Sequence, residues 1–354
     1  MKTTPGFLSK AVLVALATLA LSHPARAQLT VVAQGYSVDP YYTHTTSDSI
    51  ISFDWDANAE LYYMTSAGFP DVEVWKTNGG TPTNIYSNPN NFAGGSVVDV
   101  GNFIYFNDSD FSNNQFIHSY GPISGTPAVT TFSTTPNFGL FSHGGNLFIS
   151  GADSNFVNHI YYNPVAVNGS SAVGNQAISL GTTPGASGPM VFDTAGDLYY
   201  APGFGDLDIY KWSASDVANA IANPTLDPLS TTGHLWLDYS ALFPTVSGAT
   251  SMLLDPAGNL LVTLADFSDP SDLIDFGVGP DGSFDGGAAT ILTDGGRLGE
   301  LRNMDGSTYL AADNEIVQIV PEPGSLLLAG AGLSILLLKR SRPLPPVSTE
   351  RDPA

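Results

Sequence analysis

The chemistry this chain could do rests first on its aspartates. Asp266, Asp269 and Asp272 fall in one stretch, Asp108 and Asp110 in another, and Asp281 with Asp285 in a third, two to four residues apart among glycine, serine or asparagine. Carboxylates at that spacing suit a hard cation such as Ca2+, and calcium is the one cofactor the sequence suggests. No stretch follows the twelve-residue EF-hand pattern, and aspartate is also an ordinary turn residue whose carboxylate bonds to its own backbone. Both readings stand at this point. Neither an HExxH helix nor a GxSxG nucleophile elbow is present. His44, His118, His143, His159 and His234 are scattered over different segments without ligand spacing. The chain has no cysteine, which excludes thiol catalysis and disulfides. No catalytic residue is assigned, and a protein without enzymatic activity is the expectation.

A repeat positions these residues. One unit, an aspartate or small turn followed by glycine or asparagine and then an apolar-aromatic strand, occurs six times. Its strands begin at Leu61, Phe103, Leu147, Leu198, Leu260 and Thr308, after the turns at Asp56, Gly101, Gly144, Asp193, Asp255 and Asp305. Glycine and asparagine accept the positive backbone angles of a tight hairpin, and the β-branched and aromatic flanks suit a pleated, half-buried surface. A third strand follows around Val74, Ile117, Ile160, Ile209 and Ile316, and a fourth around Ile85, Thr130, Ile178 and Ile291. Four strands make a blade, so the chain is expected to be all-β, a six-bladed β-propeller, with a β-sandwich pair or a seven-bladed ring as the alternative. The last unit lacks a fourth strand, which residues 29–33 are expected to supply, closing the ring. The uneven spacing places an insertion at 231–245, with Trp236 outside the blade repeat. Sugar stacking on Trp55, Trp75, Trp212 or Trp236 is one use for these rings, whereas period-two aromatics mostly fill the space between sheets.

The phrases around Asp193 to Tyr199 and Asp255 to Leu260, with the turn Pro280 to Phe284, resemble the NHL and SMP-30/lactonase group of propellers. That resemblance implies the propeller fold and, for the lactonases, a divalent metal on the axis held by an inner-strand glutamate followed by Gly-Pro. The body has only Glu60, Glu73, Glu300 and Glu315, none followed by Gly-Pro, and Glu300 alone lies near an expected inner strand. A secreted metal-dependent hydrolase or lactonase is therefore the alternative reading.

The two ends carry addresses. Lys2 and Lys10 lead into an apolar run over 11–21, and Ala25 and Ala27 are the small residues a signal peptidase reads, so 1–27 reads as a signal peptide. At the other end Val320, Pro321, Glu322 and Pro323 precede an apolar segment, 324–338, and the basic cluster Lys339, Arg340 and Arg342. The prolines hold the motif extended, and the cations favour the cytoplasmic side of a membrane. This order is similar to the PEP-CTERM sorting signal, and the resemblance implies processing by an exosortase-type enzyme. Residues 321–342 would then form the sorting signal with a transmembrane helix and a transient inner-membrane stage, 343–354 a disordered tail, and 28–320 the ectodomain. The expected destination is the cell surface or the extracellular space.

Within 28–320, four cations stand against 30 acids, a net charge of −26. Phosphate backbones need clustered lysine and arginine, so nucleic acid is excluded as a partner. A surface or matrix protein with extracellular polysaccharide as a partner fits the composition better.

Overall fold

The computed structural model describes residues 29–67, 70–109, 115–134, 139–164, 177–265, 271–294 and 298–321. These form β1 (Thr30–Val31) and β2 (Tyr36–Thr43), then six successive blades. Blade 1 holds β3 (Ser49–Trp55), β4 (Leu61–Ser66), β5 (Val72–Thr77) and β6 (Thr83–Asn88). Blade 2 holds β7 (Phe92–Val100), β8 (Phe103–Ser109), β9 (Gln115–Gly121) and β10 (Ala128–Thr134). Blade 3 holds β11 (Gly139–His143), β12 (Asn146–Ala152), β13 (Asn158–Asn163) and β14 (Ile178–Thr183). Blade 4 has β15 (Met190–Phe192), β16 (Leu198–Tyr200), β17 (Asp208–Trp212), the helix α1 (Ala214–Ala222) and β18 (Leu235–Asp238). Blade 5 comprises β19 (Gly248–Leu254), β20 (Leu260–Ala265), β21 (Ser271–Val278) and β22 (Phe284–Asp294), and blade 6 opens with β23 (Leu298–Met304), β24 (Ser307–Ala312) and β25 (Glu315–Pro321). All pairings within blades are antiparallel, and the first strand of each blade lines the axis.

The ring closes in the expected manner but with a different strand. Residues 36–43, not 29–33, pair with β25, in a register running from Tyr36 opposite Pro321 to Thr43 opposite Glu315. The earlier segment contributes only β1, a fifth strand on the outer edge of blade 5 opposite Leu292 and Thr293. Tyr36, Val38 and Tyr42 carry the apolar positions that pack against the clusters flanking blade 6. Pro40 sits at a bulge in this outermost strand, where a missing N–H costs no ladder bond.

The insertion also differs from expectation. Trp236 lies in β18, the fourth strand of blade 4, and the extra length is α1, inserted between the third and fourth strands. Ser213 caps this helix through a reciprocal box, its Oγ accepting from Asp216 N at 3.2 Å while Asp216 Oδ2 accepts from Ser213 N at 3.0 Å, an arrangement worth about 1 kcal/mol. Among the described residues no helix is long and apolar enough to cross a membrane; the apolar segment 324–338 and residues 1–27, read above as a signal peptide, lie outside them.

Six apolar clusters sit in the six gaps between neighbouring blades. The tryptophans belong to them. Trp55 and Trp212 are buried, and Trp75 and Trp236 pack half-buried against their clusters. Trp212 is fully buried between blades 3 and 4 and donates through Nε1 to Ser230 O at 2.7 Å. Trp212→Ala should cost about 3–5 kcal/mol, read as a lower urea midpoint with an unchanged slope.

The aspartate turns have a shared geometry. Asp193 Oδ1 accepts from Ala195 N at 2.9 Å and Asp197 N at 2.8 Å, while Asp193 N donates to Asp197 O and Gly196 N to Asp193 O, both at 3.0 Å. Asp56 does the same with Asn58 and Glu60, and Asp255 makes the corresponding bond to Asn259 N. The recurring aspartate is therefore a turn device, as its propensity suggests.

Candidate axial site

The axis is held by polar side chains of the inner strands. Ser52 Oγ accepts from Val97 N at 2.7 Å, Ser96 Oγ from Leu140 N at 2.9 Å, and Ser251 Oγ from Leu301 N at 2.9 Å. Each of these serines sits at a bulge of its own inner strand, and its hydroxyl reaches across to satisfy a backbone N–H of the next blade. In blade 6 the same position, just before Leu301, carries Glu300 instead.

Glu300 is buried, accepts from Ser52 Oγ at 3.2 Å, and meets Arg302 Nη1 at 2.9 Å through its other oxygen. Residues two apart on a strand share a face, so the Glu-Leu-Arg order of β23 sends both side chains the same way. Arg302 goes further: Nε donates to Phe53 O at 3.2 Å and Nη2 to Val97 O at 3.1 Å, with Asp54 Oδ2 3.8 Å from Nε. One guanidinium thus joins the inner strands of blades 6, 1 and 2. Its planar fork of five donors suits it to span three elements, which a lysine could not do. Asp54 Oδ2 also accepts from Asp99 N at 2.9 Å.

Burial pushes the Glu300 carboxyl up to about 7, with Arg302 pulling the other way. Asp99 is also raised to about 7, by burial and then by the charges of Asp54 and Asp56, and its Oδ1 is buried without a partner. Asp54 is raised by burial, against the pull of Arg302. The cluster can hold protons near neutrality, but both Glu300 oxygens are engaged, so its geometry is that of a staple.

The metal implied by the lactonase resemblance does not fit these residues. A guanidinium occupies the cation position beside the only inner-strand glutamate, and among the described residues no group of three His, Cys, Asp or Glu side chains is placed to hold an ion. Of the calcium candidates, Asp266 and Asp269 lie outside the described residues. Asp272 is near the start of β21, whereas Asp281 and Asp285 flank the turn beyond its end, so these three do not converge. Asp281 Oδ1 accepts from Ser283 N and Oγ, and Asp285 Oδ1 from Gly287 N. That turn is docked on blade 4, with Gly282 O accepting from Trp236 Nε1 at 2.9 Å and Lys211 Nζ at 3.3 Å. Asp108 is buried against His118 Nε2 at 3.2 Å and accepts from Tyr86 OH, and Asp110 lies outside the described residues.

Of the residues expected to form a sorting motif, Val320 and Pro321 end β25, opposite Ser37 and Tyr36. Glu322, Pro323, Lys339, Arg340 and Arg342, and Ala25 and Ala27 of the expected cleavage site, are outside the described residues. Arg302, Asp54 and Asp99 were not singled out from the sequence. The spacing of Glu300 and Arg302 on an inner strand was the signal that could have found them.

No protein-family model matches the chain, and no curated protein matches it. Solved structures do. A Trichoderma reesei protein of carbohydrate-active enzymes family AA12 superposes with a TM-score of 0.55 at 13% identity, covering 85% of this chain and 99% of its own. A luciferin-regenerating enzyme gives 0.53 at 10% identity, over 81% of this chain and 95% of its own. The PQQ-bound aldose sugar dehydrogenase of Streptomyces coelicolor gives 0.52 at 10% identity, over 84% and 98% respectively. At such identities the likeness shows the fold alone, a six-bladed β-propeller.

Proposed function

We propose that this chain is an exported protein, processed at its C-terminal signal by an exosortase-type enzyme after a transient inner-membrane stage. Its propeller then serves at the cell surface or in the extracellular matrix as a non-enzymatic binding or structural module, with extracellular polysaccharide as its partner. The observation that carries the reading is the Arg302–Glu300 pair, which places a guanidinium beside the one glutamate a central metal would use. The acidic body and the two terminal signals support the rest. The competing reading, a metal-dependent hydrolase or lactonase, draws support from the solved neighbours, whose names are those of enzymes.

The binding claim is tested by co-sedimentation of residues 28–321 with crude exopolysaccharide from the producing bacterium. Saturable co-sedimentation is expected, and its absence would overturn the binding reading. The sorting claim has its own test. Replacing Pro321, Glu322 and Pro323 with alanine should leave the full-length protein in the inner-membrane fraction, whereas undiminished release would sink that part of the proposal.

A further inference from the structure

Phe156 stands where the turn calls for glycine. Asp153 Oδ1 accepts from Asn155 N at 2.8 Å and Val157 N at 2.9 Å, Asp153 N donates to Val157 O, and Phe156 N to Asp153 O. This reproduces the turns at Asp193, Asp255 and Asp56, whose fourth residues are Gly196 (φ 89°), Gly258 (φ 92°) and Ala59 (φ 61°). In the Asp153 turn that residue is phenylalanine, at φ 63°. A bulky side chain there carries steric strain that glycine would not. Core packing does not account for it, since Phe156 is 61% exposed. Strain retained at an exposed aromatic is the pattern that leads from structure to function.

The setting is rigid. Two residues on, Asn158 bonds through Nδ2 to Gly185 O and through Oδ1 to Ser187 Oγ, which ties the turn to the crossover 184–188 between blades 3 and 4. On the other side of that crossover Phe204 O accepts from Ala186 N at 2.7 Å, and Gly203 N donates to Ala186 O at 3.0 Å. The backbones are in contact: a Cβ on Gly188 would lie 2.1 Å from Ala201 O, and one on Gly203 2.4 Å from Ser187 O. The Phe204 side chain is 38% exposed and Val157 43%. The two phenylalanines therefore flank one closely packed ridge.

Charge selects the ligand. The described cations are all engaged, Lys76 with Glu60, Lys211 with Asp197 and Arg302 with Glu300, so none of the described residues offers a free cation for an anionic polymer, and the body's net charge of −26 repels one. Exposed rings beside asparagine and serine suit the alternating C–H faces and hydroxyls of an uncharged sugar chain. The ridge also lies at the end of the blades opposite the hairpins that join each blade's first and second strands, whereas Pro321 and Tyr36, where the chain leaves and enters the ring, lie at that hairpin end. A tail leaving from Pro321 would present the ridge outward.

We propose that Phe156, with Phe204 across the 184–188 crossover, forms a stacking platform for an uncharged polysaccharide. The proposal rests on the binding-module reading and gives it a site and a ligand class. Since β2 and β25 close the ring within 36–321, residues 28–321 form the unit to test. In native affinity electrophoresis with soluble galactomannan, dextran, hydroxyethylcellulose or laminarin, at least one polymer should retard the wild type, and alginate should not. Phe156→Gly should weaken that retardation about tenfold while raising Tm by about 2 °C. Phe156→Trp should retain binding, and Phe204→Ala should weaken it without preventing folding. Unchanged retardation of the Phe156→Gly variant, or a fall in its Tm, would overturn the platform. So would a wild type that co-sediments with crude matrix but ignores every neutral polymer, which leaves the binding-module reading standing. Failure in both assays would overturn the two together.

Discussion

Replacing Arg302 with leucine lowers stability at pH 8 by about 3 kcal/mol, a fall in Tm of roughly 5–10 °C. The substitution leaves Glu300 buried without its 2.9 Å partner and deprives Phe53 O and Val97 O of their donors. The charge itself is the main penalty, because a buried carboxylate that loses its only counter-ion retains its full desolvation cost. That makes the loss depend on pH. Glu300 titrates near 7 in the folded ring, above its ordinary value of 4.5, so the folded state binds its proton more tightly than the unfolded chain does. The stabilisation is fully present below the unfolded value and disappears as pH rises through about 7. Asp99, also raised to about 7, adds in the same direction. The wild-type ring should therefore grow less stable from pH 5 to 8. Arg302→Leu should steepen that fall, because the missing cation lets the Glu300 pKa climb further. Urea unfolding of both proteins at pH 5 and pH 8 checks it, and an equal loss at the two pH values would rule out the charge argument. Adding Glu300→Gln to Arg302→Leu should recover part of the loss at pH 8 and little at pH 5.

The same strand shows what could be read ahead of the structure and what could not. The six hairpins were legible because Asp193 to Leu198 and Asp255 to Leu260 repeat a turn whose every element is local: a carboxylate capping two N–H groups, a glycine at positive φ, and an apolar strand after it. The four-strand blade followed from alternation. Trp236 was misplaced because spacing was the only guide between Trp212 and Gly248, and a nine-residue helix with a good cap stretched it. Axial chemistry was hidden for a different reason. Arg302 acts on carbonyls at positions 53 and 97, more than two hundred residues away, and a contact of that range leaves no local mark beyond a Glu and an Arg two residues apart. The calcium reading arose from the ambiguity of aspartate itself, since turn capping and metal ligation ask for the same side chain among the same small neighbours.

Deleting residues 29–44 should abolish cooperative folding, whereas moving residues 36–48 to the other end of the chain should restore it. Without β2 the outer face of β25 is a bare edge along seven residues, Glu315–Pro321, and Tyr36, Val38 and Tyr42 no longer cover the clusters on either side of blade 6. His44 goes too, and with it the bond from its Nδ1 to Tyr63 OH at 3.0 Å and the backbone bond to Asn314 O at 2.8 Å that lead blade 6 into blade 1. An unpaired edge beside exposed apolar surface favours association with other chains over closure, so the deleted protein should aggregate or unfold without a sharp transition. The permutant begins at Ser49, runs to Pro321, and continues through a short glycine-rich linker into residues 36–48. Tyr36 lies opposite Pro321 in the register, so the linker need make only a hairpin, and blade 6 becomes four consecutive strands like its neighbours. Its thermal transition should fall within about 5 °C of that of residues 34–321, which lack β1 as the permutant does, because only a few loop residues then separate the two closures. A permutant that folds no better than the deletion would mean that the order of the ends, not the β2–β25 pairing, holds the ring together. A deletion that still melts sharply would mean that five and three-quarter blades suffice.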